Sequence, residues 1–250
     1  MNGEVYQAAR LVTSFKTGKS FERKDYEKEI HFSFLPKGLI AKSEHWVSDP
    51  QKWFTALTET GITDLYLIMK TKTSAKERKT FGFINTQPVI IASKYRNNKY
   101  SYWKPQWSYN AAINGWIVEY SERQWRTHPK ETPFFINNSD NFKNSLIRIS
   151  DFSRRMGIEY YEKLFNSSVA VLDGKVPSKE YRYVEISELP EINKRLFRAA
   201  SLADVFGGMG TWNDNPCAAA KEKGLLEEYN DLSDELLKQI RIAVMFAVNW

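Results

Sequence analysis

The chain has 250 residues, 42% of them apolar, 26% charged and 14% aromatic. That balance excludes an intrinsically disordered chain and is enough to bury a real core in one large domain or two small ones. The formal net charge of +6 hides a polarity along the sequence: residues 70–104 hold nine Lys or Arg against Glu77 alone, while residues from Asp204 onward hold eight acids against four bases.

A single cysteine, Cys217, excludes an internal disulfide and a cysteine-based metal cage, and it fits a reducing compartment. Met1 to Lys16 lacks the apolar core of a signal peptide. The longest apolar run near the end, Ile242 to Val248, is seven residues, too short for a bilayer. A cytoplasmic protein with no membrane span is expected.

Glu4 to Phe15 can form a short helix, and Ile30, Phe32 and Phe34 alternate with polar residues as in a half-buried strand. Asp49-Pro50 opens a helix whose apolar face is Trp53, Phe54 and Leu57, with Gly61 at its end. Asp64 to Met69 and Thr80 to Ile84 read as strands around a basic loop. Val89 to Ser93, Tyr100 to Trp107 and Gly115 to Tyr120 complete a mostly antiparallel sheet, with Asn97-Asn98 as a turn.

Near Pro133 the period changes. Ser139 suits the N-cap of a helix carrying Phe142, Leu146, Ile149 and Phe152. Ile158 to Leu172 gives a second helix, residues 173–181 a polar loop and Tyr183 to Ile186 a short strand. Glu191 to Phe206, Cys217 to Lys223 and Ser233 to Val248 are the remaining helices. An α+β fold is predicted, with a sheet-bearing part over 1–132 packed against a helical part over 133–250 and a boundary between 130 and 138.

The most distinctive stretch is Phe206-Gly207-Gly208-Met209-Gly210-Thr211-Trp212-Asn213-Asp214. Gly207 or Gly208 is expected to take the left-handed conformation that closes a helix, Asn215-Pro216 to open the next, and Trp212 to plug the junction. As a phosphate cradle, Gly207 to Gly210 lacks the Lys-Ser/Thr pair of a P-loop and does not follow a strand to open a dinucleotide-binding helix, so the structural reading leads. Asn213 and Asp214 remain as polar groups beside a rigid turn. Cys217, near the start of a short helix, has the dipole that activates a thiol, but a nucleophile needs a base. His31, His45 and His128 all lie in the other half, so a packed cysteine is the simpler reading.

No histidine pair or carboxylate ladder has metal-ligand spacing, and no metal or cofactor is expected. Glu22-Arg23-Lys24 has a nuclease-like spacing but lies in a polar charged stretch, and Asp64, Asp151 and Asp173 lack comparable neighbours. Rings and cations interleave through Tyr95 to Arg126, including Arg96, Lys99, Tyr102, Trp103 and Trp107, and follow the basic loop of Lys76, Arg78 and Lys79. Such mixtures suit single-stranded nucleic acid, a protein interface, or the packing of a sheet with a solvated edge.

Leu146-x-x-Ile149-x-x-Phe152, Phe165, the 206–214 turn and Leu232-Ser233-Asp234-Glu235-Leu236 together resemble a group of short bacterial proteins of unknown function. These carry a Gly-Gly-Met-Gly-Ser-(Trp/Phe)-Asn-Asp turn between helices, with Thr211 here in place of the serine. The likeness covers about residues 140–250 and implies an accessory role in bacterial conflict loci, including that of a polymorphic-toxin immunity protein. The leading expectation is a non-enzymatic binder of a protein partner, such as a toxin. A nucleic-acid-binding accessory protein using residues 70–126 and a hydrolase or transferase using Cys217 or Asp214 are the alternatives.

Overall fold

The computed structural model describes residues 1–35, 46–125 and 133–250. Its contacts divide the chain into two compact units that interleave in sequence: residues 1–6, 69–87 and 135–250 form unit one, and 7–68 with 88–134 form unit two. The last segment of unit one opens at Phe135, inside the interval where the hydrophobic period changes. Residues 1–6 and 69–87 also belong to this unit by their contacts.

Unit two is built on a six-stranded mixed sheet. Its strands are β1 (Glu27–Ser33), β2 (Trp46–Val47), β3 (Ile62–Met69), β4 (Val89–Tyr95), β5 (Tyr100–Asn110) and β6 (Gly115–Gln124), in the order β2-β1-β6-β5-β4-β3. The β4–β5, β5–β6 and β1–β2 pairs are antiparallel, and β1 lies parallel to β6. Asn98, at φ 58°, makes the β4–β5 turn that its amide side chain tolerates in the left-handed region.

Two helices join the sheet in unit two. The first is α1 (Gly3–Thr17), whose residues from Gln7 onward belong to this unit; the second is α2 (Pro50–Glu59). Asp49 accepts the Lys52 N–H at 2.9 Å, so the N-cap falls where the sequence places it. Trp53 of α2 stacks on Phe32 at 4.1 Å between ring centres, Phe32 stacks on Tyr120 at 5.4 Å, and Trp103 meets Trp53 edge-on at 5.1 Å. These rings are fully buried and form the centre of the unit.

Unit one is helical: α3 (Ala75–Arg78), α4 (Ser139–Met156), α5 (Glu159–Leu172), α6 (Glu191–Ala203), α7 (Asn215–Glu222) and α8 (Leu226–Val248). α8 packs on α4, α6 and α7, and α5 packs between α4 and α6. The predicted stripe of Phe142, Leu146, Ile149 and Phe152 is buried along α4. A mixed sheet carried mostly by the first half and helices mostly by the second make the fold α+β.

Several local expectations differ from the structure. Thr80 to Ile84 is a run of turns rather than a strand: Thr80 donates to Glu77 O, Phe83 to Thr80 O, and Thr86 Oγ1 caps both Thr80 O and Phe83 O. Tyr183 to Ile186 pairs with no strand among the described residues; Val184 N–H donates instead to Ser201 Oγ at 2.7 Å. Ser139 is the first residue of α4 and not its cap, because Asn137 Oδ1 takes both its N–H and its hydroxyl. α6 stops at Ala203, and α8 begins at Leu226, seven residues before Ser233.

Candidate functional site

Trp212 organises the glycine turn. It is fully buried, stacked on Tyr229 at 5.5 Å, edge-on to Tyr161 at 5.0 Å and to Phe165 at 5.4 Å. Its indole N–H donates to Ser233 Oγ at 2.8 Å, and its carbonyl accepts the Tyr229 hydroxyl at 2.6 Å. The plug role expected from the sequence is what the packing shows. The dihedrals fall differently from the expectation: Gly207 and Gly208 do not have positive φ, and Gly210 does, at 75°. The reversal therefore comes after the two glycines, where Asp214 Oδ2 accepts the Gly210 N–H at 2.9 Å.

Asn213 is half-buried and holds two chain segments together, its amide donating to Arg78 O at 2.9 Å and to Gly207 O at 3.4 Å. Asp214 stays exposed but is occupied by the turn. The segment that Asn213 reaches is the basic loop. Within it Ser74 and Glu77 close a capping box on α3, Lys70 pairs with Glu77 at 2.6 Å, and Arg241 of α8 donates to Lys70 O at 2.7 Å. The Arg241 guanidinium lies over the Phe81 ring at 4.8 Å, and burial pulls its pKa down to about 10.

The basic residues of this loop divide into two kinds. Arg78 is buried, ion-paired with Asp234 and bonded to Asn230 at 2.8 Å, so its charge is used inside the unit and offers nothing to a phosphate or partner. Lys72, Lys76 and Lys79 are exposed and have no carboxylate partner among the described residues. The loop and the glycine turn touch: a Cβ built on Gly82 would fall 2.5 Å from the backbone N and Cα of Gly208. The next residue along each segment is a large, exposed apolar one, Phe83 at 69% and Met209 at 96%, and Ile84 follows at 48%.

Beside this contact lies a cleft of about 790 Å³, lined by Phe206, Gly207, Gly208, Gly210 and Thr211 of the turn, by Tyr160, Tyr161 and Leu164 of α5, by Glu180 and Arg182, and by Phe81 and Gly82. Burial, with Tyr160 and Asp214 nearby, pushes the Tyr161 hydroxyl up to about 12. It donates to Gly210 O at 3.4 Å.

The other expected binding residues lie in unit two. Trp103 and Trp107 are buried and cannot form a stacking surface: the Trp103 indole donates to Ser93 Oγ at 2.8 Å, and Trp107 meets Trp116 edge-on at 6.0 Å. The pleat explains this, since both share a face of β5 with Pro105 and point to the core. Tyr102 is half-buried on the opposite face, and Arg96 and Lys99 are exposed at the β4–β5 turn. The ring-rich sheet reading thus accounts for the two tryptophans, and Arg96 and Lys99 remain as surface cations.

Cys217 is half-buried beside Tyr229, whose hydroxyl burial pushes well above the ordinary tyrosine range. His31 belongs to unit two, bonded to Glu29 at 2.9 Å, and His45 and His128 lie outside the described residues. No group of three His, Cys, Asp or Glu able to hold a metal occurs among the described residues. No helix among them is long and apolar enough to cross a membrane.

Sequence reasoning missed Phe83, Ile84 and Arg182. An apolar pair next to a glycine within a basic loop was the available signal for the first two, and reading that loop as a strand concealed it. No family model, curated protein or solved structure matched this chain.

Proposed function

We propose that this chain is a non-enzymatic protein-binding protein of a bacterial conflict system, acting in the cytoplasm as an immunity protein that blocks a toxin. The observation that carries the binding reading is the pair of touching loops at Gly82 and Gly208, which present Phe83, Ile84 and Met209 to solvent. The backbone of these loops is held from beneath by Trp212, Asn213 and Arg78, so little backbone ordering entropy is lost on binding. Lys72, Lys76 and Lys79 supply unpaired positive charge on the same loop. The partner that fits is a protein with an apolar pocket rimmed by carboxylates. The conflict-system context rests on the resemblance of the 206–214 turn and the 232–236 stretch.

The test is affinity capture from the native host with the wild-type chain and with Phe83→Asp/Met209→Asp. A specific protein held by the wild type and lost by the double variant is the expected result, with at least about a hundredfold weaker binding for loss of two central anchors. Lys72→Glu/Lys76→Glu/Lys79→Glu should chiefly slow association, in a salt-dependent way. Equal capture by the Phe83/Met209 variant would refute the surface. Tight binding of single-stranded RNA or DNA that falls steeply with salt would favour the nucleic-acid alternative.

A further inference from the structure

The glycines around the cleft have different physical justifications. Gly210 is at positive φ, a Cβ on Gly207 would meet Thr211 Cγ2 at 2.9 Å, and Gly82 is pressed against the Gly208 backbone. Gly208 has none of these reasons: its φ is not positive, and an added Cβ would meet only Gly82 Cα at 3.8 Å, an ordinary contact. A glycine required by neither dihedral nor packing has a use where a ligand approaches the backbone itself. The N–H groups of Phe206, Gly207, Gly208 and Met209 donate to no atom among the described residues, whereas those of Gly210, Thr211 and Trp212 are all bonded. Of these, Gly207 and Gly208 line the cleft, and unbonded backbone amides without flanking side chains are groups that can receive an anion.

The rest of the cleft lining completes the chemistry. Arg182 is exposed and has no carboxylate partner among the described residues, and Tyr160 presents a ring that is 59% exposed. That ring is braced edge-on by Tyr161 at 5.2 Å and by Tyr181 at 5.9 Å. Two acids also line the cleft, Glu180 and Asp204; Asp204 is engaged by the Asn2 N–H at 3.3 Å. We propose that this cleft binds a small phosphate ester carrying a planar ring, of the nucleotide class. Its phosphate lies on the amides of Gly207 and Gly208 and on the Arg182 guanidinium, and its ring lies against Tyr160. The proposal is independent of the protein-binding reading, which uses the Phe83, Ile84 and Met209 side chains.

Isothermal titration of the full chain with ADP, UDP and inorganic pyrophosphate tests it. Saturable binding of the nucleotides below about 1 mM is expected, with pyrophosphate weaker. Arg182→Gln should weaken all three about tenfold or more, and Tyr160→Ala should weaken the nucleotides but not pyrophosphate. Gly208→Ala should melt at the wild-type temperature and bind at least about tenfold more weakly. Absence of saturable binding by wild type, or Gly208→Ala binding as tightly as wild type, overturns the proposal.

Discussion

Trp212 shows how one side chain can stabilise a turn whose own residues contribute few side-chain contacts. Glycines maximise the entropy lost on ordering, so residues 207–210 are held mainly by what surrounds them. The indole supplies buried area, ring contacts to Tyr161, Phe165 and Tyr229, and a hydrogen bond to Ser233. Trp212→Ala should cost about 3–5 kcal/mol, the range for emptying a buried aromatic site, measured by urea unfolding. Trp212→Phe should cost less but leave Ser233 Oγ without its donor, a loss of about 1–3 kcal/mol for a buried polar group. An Ala variant as stable as wild type would mean that the turn is not supported from below. The plug itself was readable from a lone large ring among glycines and Asx residues. Which glycine carries the positive φ was not, because that depends on Asp214 reaching back to Gly210 N–H.

At the level of elements, the loop from Met69 to Gln87 matters more than its lack of regular structure suggests. Its one turn of helix, α3, is too short to persist by propensity and depends on the Ser74–Glu77 capping box and on α8. α8 meets it through Asp234 and Asn230 at Arg78 and through Arg241 at Lys70 O. Ser74→Ala should cost about 0.5–2 kcal/mol and speed amide hydrogen exchange across residues 75–83, with α4 and α5 unchanged. Uniform acceleration throughout unit one would show instead that the loop unfolds only with the whole unit. The sequence made this stretch look like a basic binding loop flanked by strands. Counting charges could not reveal that Arg78 is spent on Asp234, since the two lie far apart in sequence and meet only through packing.

For the whole molecule, interleaving of the two units has a consequence for dissection. A fragment of residues 133–250 keeps α4 to α8 but loses residues 1–6 and 69–87 of the same unit. It would lack the Tyr6 hydroxyl that donates to Glu185 O at 3.0 Å, the Arg78 partner of Asp234, and Phe81 against Arg241. With typical domain stabilities of only about 5–15 kcal/mol, these losses are decisive. The fragment should show helical circular dichroism without a cooperative melt and should bind a hydrophobic dye. A sharp, dye-free transition would show that the helices are self-sufficient.

The sequence by itself determined the features set by near neighbours in the chain. The apolar stripe of α4, the Asp49-Pro50 start of α2, the Asn98 turn and the alternation of β1 all depend on periods and caps contained within a few residues. The α+β class follows from where those periods change. Tertiary structure alone decided which surface is free. Trp103 and Trp107 are as aromatic in sequence as any stacking platform, yet strand pairing turns both to the core. Phe83 and Met209 are ordinary apolar residues in sequence, yet the close approach of Gly82 to Gly208 brings their backbones together while leaving both side chains in water. At these positions exposure is set by what packs nearby in space, which the local pattern does not encode.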